Sequence, residues 1–135
     1  MGNTTSIKKI NFKDMLYAIN NQMIIINTLN QYNQECLIKT TLNIEEEVST
    51  INNLLKTNKN KKIIIYGENS NDECLIKKYY QLKKLGLNNI YVYIGGLFEW
   101  LLLQDIYGEE QFPTTINIID ILKYKGDICN SLREI

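Results

Sequence analysis

Three short apolar runs stand out along the chain: Met23 to Asn27, Ile63 to Tyr66 and Ile90 to Ile94. Each is dominated by β-branched or aromatic residues and lacks the polar alternation of a half-exposed strand. Each therefore predicts a strand buried on both faces of a parallel sheet. A weaker strand is predicted at Ile7 to Ile10. Between these runs the apolar period becomes helical. Asn11 is a predicted N-cap for a helix from Phe12 to about Asn20, with Phe12, Met15, Leu16 and Ile19 on one face. Glu45 to Lys56 predicts a second helix, with Val48, Ile51, Leu54 and Leu55 as its stripe and acids in its first turn, where the helix dipole favours them. Asp72 caps a third, which runs to about Leu85 with Leu75, Ile76, Tyr79, Leu82 and Leu85 facing inward, and Gly86 stops it as a left-handed cap. Gly95-Gly96 turns the chain into a short helix from Leu97 to about Leu103. Leu37 to Ile44 predicts another short strand, and Ile116 to Lys123, beyond the single proline Pro113, a final helix.

Strands alternating with helices imply βαβ units, hence an α/β domain with a central, mostly parallel sheet flanked by helices in three layers. The 135 residues suffice for one such domain. No repeat or low-complexity linker interrupts it. The reading divides the chain into a flexible start at residues 1–6, a domain over 7–113 and a C-terminal extension over 114–135 that packs on the domain.

Composition removes several functions. Fifteen basic and fifteen acidic residues cancel, and Arg133 is the only arginine, so a nucleic-acid partner is disfavoured. The absence of histidine excludes Ser-His and Cys-His catalysis within the chain and any His-containing zinc site. No metal site and no cofactor are expected. Three cysteines, Cys36, Cys74 and Cys129, make no disulfide framework and suit a reducing, cytoplasmic setting. The apolar runs are too short to cross a bilayer, and no secretory signal is visible.

The segment from Ile63 to Trp100 resembles the catalytic half of a rhodanese-like (thiosulfate sulfurtransferase) domain. A buried strand ends in Tyr66 and leads through a polar loop into a helix. That helix ends in Leu82-Lys83-Lys84-Leu85-Gly86-Leu87, which is similar to the family's L-x-x-x-G-F. Asn89 to Tyr93 then leads into Ile94-Gly95-Gly96-Leu97-Phe98-Glu99-Trp100, which looks like the family's strand, double glycine and following Trp. Upstream, Ile24 to Leu29 and Cys36 to Ile44 stand where the family has a strand ending in Asp-x-Arg and a G-H-I-x-G-A segment. Here Asn27, Leu29 and Leu37 replace the Asp, Arg and His. The resemblance spans about Ile7 to Trp100 and implies the rhodanese-like fold.

It also implies where chemistry would lie. In active members a cysteine directly after the strand carries sulfur as a persulfide, within a loop whose backbone N–H groups and helix N-terminus stabilise its charge. Here that position is Gly67, and the active-site-like loop continues Glu68, Asn69, Ser70, Asn71, Asp72, Glu73. Glycine has no nucleophile, and three carboxylates repel thiosulfate, persulfide or phosphate. The Cys-x5-Arg loop of phosphatases sharing the fold is missing at both ends. Cys74, seven residues on, is the alternative nucleophile, although Asp72 and Glu73 beside it oppose a thiolate. The plainer expectation is that Cys74, like Cys36 and Cys129, is a small core residue. Asn69 and Asn71 are read as turn residues, Trp100 as core, and Leu101 to Leu103 as covered by the tail or a partner.

Met1-Gly2-Asn3-Thr4-Thr5-Ser6 matches the N-myristoylation pattern, making Gly2 a candidate lipidation site, with Lys8 and Lys9 placed to attract anionic lipid. The leading expectation is a rhodanese-like module without sulfurtransferase activity, acting as a binding or scaffold domain for a protein partner. A peripheral membrane contact through acylated Gly2 would place it on the cytoplasmic face. The alternative is a sulfurtransferase or thiol redox protein using Cys74, and a third reading makes the Trp100 to Leu103 region a subunit contact.

Overall fold

The computed structural model describes residues 7–133. Four strands, β1 (Lys8–Ile10), β2 (Ile24–Asn27), β3 (Ile63–Tyr66) and β4 (Ile90–Tyr93), form one sheet in the order β1-β4-β3-β2, with every neighbouring pair parallel. The register aligns Ile25, Ile64 and Tyr91 across the sheet, and Tyr66 with Tyr93. Strand alternation sends these side chains to one face, while Ile26, Ile63, Ile65, Ile90 and Val92 point to the other. The continuous apolar runs are thus explained by burial on both faces.

The two faces have separate cores. Helices α2 (Ile44–Thr57) and α3 (Glu73–Leu85) cover one, with Ile51, Leu54, Leu75, Tyr79 and Leu82 against the sheet. Helices α1 (Phe12–Asn20) and α4 (Gly96–Tyr107) share the other, where Met15, Ala18, Leu97 and Trp100 meet Tyr66, Tyr93, Phe112 and Tyr124. Asn11 caps α1 through a reciprocal capping box with Asp14, and Gly86 ends α3 with φ 114°, a left-handed geometry that glycine adopts without steric cost. Lys78 of α3 pairs with Glu47 of α2 across the helical layer. The α/β architecture and these caps are those the sequence predicts.

Four expectations are corrected. Leu37 to Ile44 forms no strand, only isolated bridges of Ile38 to Thr114 and Thr41 to Ile25. Thr40 takes φ 69° there and turns the chain away from extended geometry. Ile116 to Lys123 is not an α-helix; only a 3-10 turn, α5 (Ile121–Tyr124), forms, before a last short helix α6 (Asn130–Arg133). Its β-branched isoleucines are poor helix formers. Its neighbouring polar groups bond elsewhere: Thr115 N–H donates to the Leu37 carbonyl (2.8 Å) and Thr114 Oγ1 to the Ile116 carbonyl (2.7 Å). Helix α4 runs four residues past Leu103, to Tyr107. Val48 and Leu85, expected inward, are exposed because each falls at the margin of its helix stripe.

The segment after α4 is built into the α1/α4 core. Phe112 stacks edge-on against Trp100 with ring centroids 5.1 Å apart, Trp100 Nε1 donates to the Pro113 carbonyl (3.1 Å), and Tyr124 is fully buried. Leu101 is buried, Leu103 packs against the same core as Ile118 and Ile121 of the tail, and Leu102 stays exposed. Trp100 is core, as expected.

Candidate functional site

The loop from Gly67 to Asp72 leaves β3 at the carboxyl end of the sheet, where ligand crevices of open α/β folds lie. The sequence leads one to expect its backbone N–H groups and the first turn of α3 to form a cradle for an anion. In the structure two of these N–H groups are held by the chain's own side chain. Asp72 folds back so that one carboxylate oxygen accepts from the Glu68 N–H (3.0 Å) and lies 3.5 Å from Thr28 Oγ1, while the other accepts from the Cys74 N–H (2.9 Å) and caps α3. A Cβ built on Gly67 would stand 2.2 Å from Asp72 Oδ2 and 3.0 Å from Thr28 Oγ1. The space a side chain at position 67 would need is therefore filled by Asp72.

The loop's carbonyls are committed too. The Leu97 N–H donates to the Gly67 carbonyl (2.9 Å) and the Phe98 N–H to the Glu68 carbonyl (2.8 Å), so the otherwise unpaired amides of α4 are satisfied by the loop. Such an approach is open only to a glycine at position 96. It has φ 70°, and an added Cβ would lie 2.8 Å from the Gly67 carbonyl oxygen and 2.9 Å from the Asn69 nitrogen.

Asn69 is a turn residue, as expected, accepting from the Asn71 N–H (2.9 Å). It is also buried, and its amide donates to the Tyr124 carbonyl (3.0 Å), which ties the loop to the tail. Gly126 continues this contact beside Asn71. The cleft that remains above the loop is about 410 Å³. Glu68, Asp72, Glu73 and Asp127 face it with one cation, Lys125, so its field is negative. Burial, then the neighbouring Asp72, raises the Glu68 carboxyl above its usual range.

Cys74 is exposed and lines this cleft, and Cys129 is exposed as well, which corrects the expectation that both are core residues. The second position of a helix whose inner stripe is Leu75, Tyr79 and Leu82 points outward. Cys36 is buried, and burial pushes its thiol up from the ordinary value. Among the described residues no group of three or more Cys, Asp or Glu is arranged to hold a metal ion, and no helix is long and apolar enough to cross a membrane. Gly2 lies outside the described residues; Lys8 and Lys9 are exposed on β1. Thr28, Tyr124 and Lys125 were not legible as site residues. Thr28 stands between Asn27 and Leu29, which replace the family's Asp and Arg, and the other two lie in a tail with no motif.

The sequence profile of the rhodanese-like domain matches residues 11–103, more than half of the chain. The chain belongs to the rhodanese-like domain family. Solved structures agree at the level of the fold. A rhodanese-like domain from Anabaena sp. is 19% identical and superposes with a TM-score of 0.59, covering 85% of this chain and 83% of its own. A Bacillus halodurans protein is 20% identical, with a TM-score of 0.55 over 69% of this chain and 70% of its own. A yeast protein described as a tyrosine phosphatase of the rhodanese family is 12% identical, with a TM-score of 0.55 over 88% of this chain and 99% of its own. No match was found among curated proteins.

Proposed function

We propose that this rhodanese-like protein is a binding or scaffold module without sulfurtransferase activity. The observation that carries the reading is the carboxylate of Asp72, which sits where a nucleophile at position 67 would project and takes the N–H groups that would otherwise receive a substrate anion. A persulfide needs a thiol at the cradle's centre and a field that tolerates negative charge. This loop offers neither. Thiosulfate:cyanide sulfurtransfer should stay at background for the native chain and for Cys74→Ser. Turnover well above background in both proteins would remove the reading's support.

The exposure of Cys74 beside the cleft favours a second reading, a sulfur carrier or thiol redox protein using that residue. It requires Cys74 to react with iodoacetamide at neutral pH much faster than Cys129, which is also exposed, and any sulfurtransfer to vanish in Cys74→Ser. Equal labelling of the two thiols, with no turnover, would sink it.

The module is tethered to the cytoplasmic face of a membrane through N-myristoylated Gly2. One acyl chain gives only marginal binding, and the exposed Lys8 and Lys9 add attraction to anionic lipid. Mass spectrometry of the native protein tests this directly; an unmodified Gly2 ends it. The scaffold's protein partner meets the α4 side, where Leu102, Ile106 and Leu122 are exposed.

A further inference from the structure

A second cavity of about 250 Å³ lies between α1 and the end of the sheet where β2, β3 and β4 begin, away from the loop. Ile10, Tyr17, Met23, Ile64 and Tyr91 line it, and among the described lining residues the charged ones are Asp14 and Lys62, both exposed and of opposite sign. We propose that this cavity takes a saturated acyl chain, the one carried by Gly2. The inference rests on the acylation proposed above and adds to it a protein-bound state of the lipid.

Three observations support that occupant. First, the lining is aliphatic and aromatic carbon, without the convergent polar groups that orient a polar small molecule. An alkyl chain asks for nothing more. Second, the chain enters the sheet at the cavity. Lys8 pairs in register with Tyr91, and its Nζ stands 5.2 Å over the Tyr91 ring. Third, the span suffices. The residues from Gly2 to Lys8 reach roughly 20 Å when extended, so an acyl group on Gly2 can meet either the cavity or a bilayer beside it. The cavity holds part of a myristoyl chain, and the Tyr17 ring, 60% exposed, offers apolar surface for the rest.

The cavity and the membrane then compete for one chain, and occupancy of the cavity lowers apparent membrane affinity by the fraction sequestered. Met23→Trp fills the cavity from its half-buried margin. The full chain is acylated by N-myristoyltransferase, verified by mass, and bound to vesicles of phosphatidylcholine with phosphatidylserine. Acylated Met23→Trp should bind about tenfold more tightly than the acylated native chain, as expected if nine-tenths of the chain is sequestered. A measurement free of any variant is the amide and methyl shift difference between acylated and unacylated native protein, which should concentrate at Ile10, Ile64 and Tyr91. Equal vesicle affinities together with unchanged shifts at those residues overturn cavity binding while leaving acylation intact. Failure of the transferase to modify Gly2 overturns the acylation reading and this occupant with it. Saturable binding of laurate to the unacylated chain, lost in Met23→Trp, supports the cavity's preference for acyl chains.

Discussion

Two turns leave the carboxyl end of the sheet side by side, after β3 and after β4, and both set a glycine against a carboxylate folded back from the following helix. In the first, Gly67 faces Asp72; in the second, Gly95 faces Glu99, whose Oε2 would lie 2.0 Å from an added Cβ. Each strand ends near a buried tyrosine. The Tyr66 hydroxyl accepts from the Ile38 N–H (3.1 Å) and lies 2.8 Å from Thr41 Oγ1, while the Tyr93 hydroxyl donates to Glu99 (3.0 Å). Burial raises both phenols above their ordinary range, and for Tyr93 the Glu99 charge adds to it. The difference lies in what each acid holds. Glu99 holds a side chain, whereas Asp72 holds two backbone N–H groups, that of Glu68 in the loop and that of Cys74 in the first turn of α3. Only the first turn therefore spends the donors with which a cradle of this shape would grip a ligand. The donors of the first turn are thus held by the chain's own carboxylate.

The sharpest way to break this comparison is at the double glycine. Gly96→Ala places a Cβ against loop backbone at positive φ and should cost about 3 kcal/mol in a urea melt. Gly95→Ala meets only the Glu99 side chain and should cost roughly 1 kcal/mol. Equal losses would mean that the loop does not depend on that close approach. Next is the first turn. Gly67→Ala and Asp72→Ser should each destabilise, the latter by about 1 kcal/mol through the weakened cap. The double variant should lose at least ~1 kcal/mol less than their sum, because serine vacates the space that alanine enters. Strict additivity would place Asp72 elsewhere.

A smaller effect comes from the tie between loop and tail. Asn69→Ala removes the bond to the Tyr124 carbonyl and should cost about 1–2 kcal/mol, with faster amide exchange over residues 121–125 than over α3. The smallest is electrostatic. Glu68 has a raised carboxyl pKa in the folded chain, so the fold retains its proton where the unfolded chain has released it, and stability falls as pH rises through that interval. Glu68→Gln should raise the melting temperature slightly at pH 7. The gain should disappear below about pH 4, where both states are protonated. A gain that persisted in acid would point to packing instead.

Much of this was legible in the sequence because the signals are local. Three unbroken isoleucine-rich runs could only be strands buried on both faces, and Asn11, Asp72 and Gly86 mark helix ends by their own chemistry. The position of the loop followed from the double glycine and Trp100. The content of the loop did not. Asp72 reads as a helix cap, which it is, but nothing local shows that its second oxygen reaches Glu68 and the space beside Gly67. The tail was misread for a related reason. Its isoleucines repeat at helical spacing, yet the Thr115 hydroxyl accepts from the Leu37 N–H and donates to the Glu35 carbonyl some 80 residues earlier, a tertiary choice that no window of sequence contains.

The tail also changes what counts as the smallest foldable piece. The recognisable family segment stops at residue 103, but Phe112, Pro113 and Tyr124 complete the hydrophobic centre around Trp100. A fragment trimmed to the homologous boundary would uncover an indole and remove the carbonyl its N–H bonds to. The unit inherited from the family and the unit that must be expressed intact are therefore different lengths of the same polypeptide.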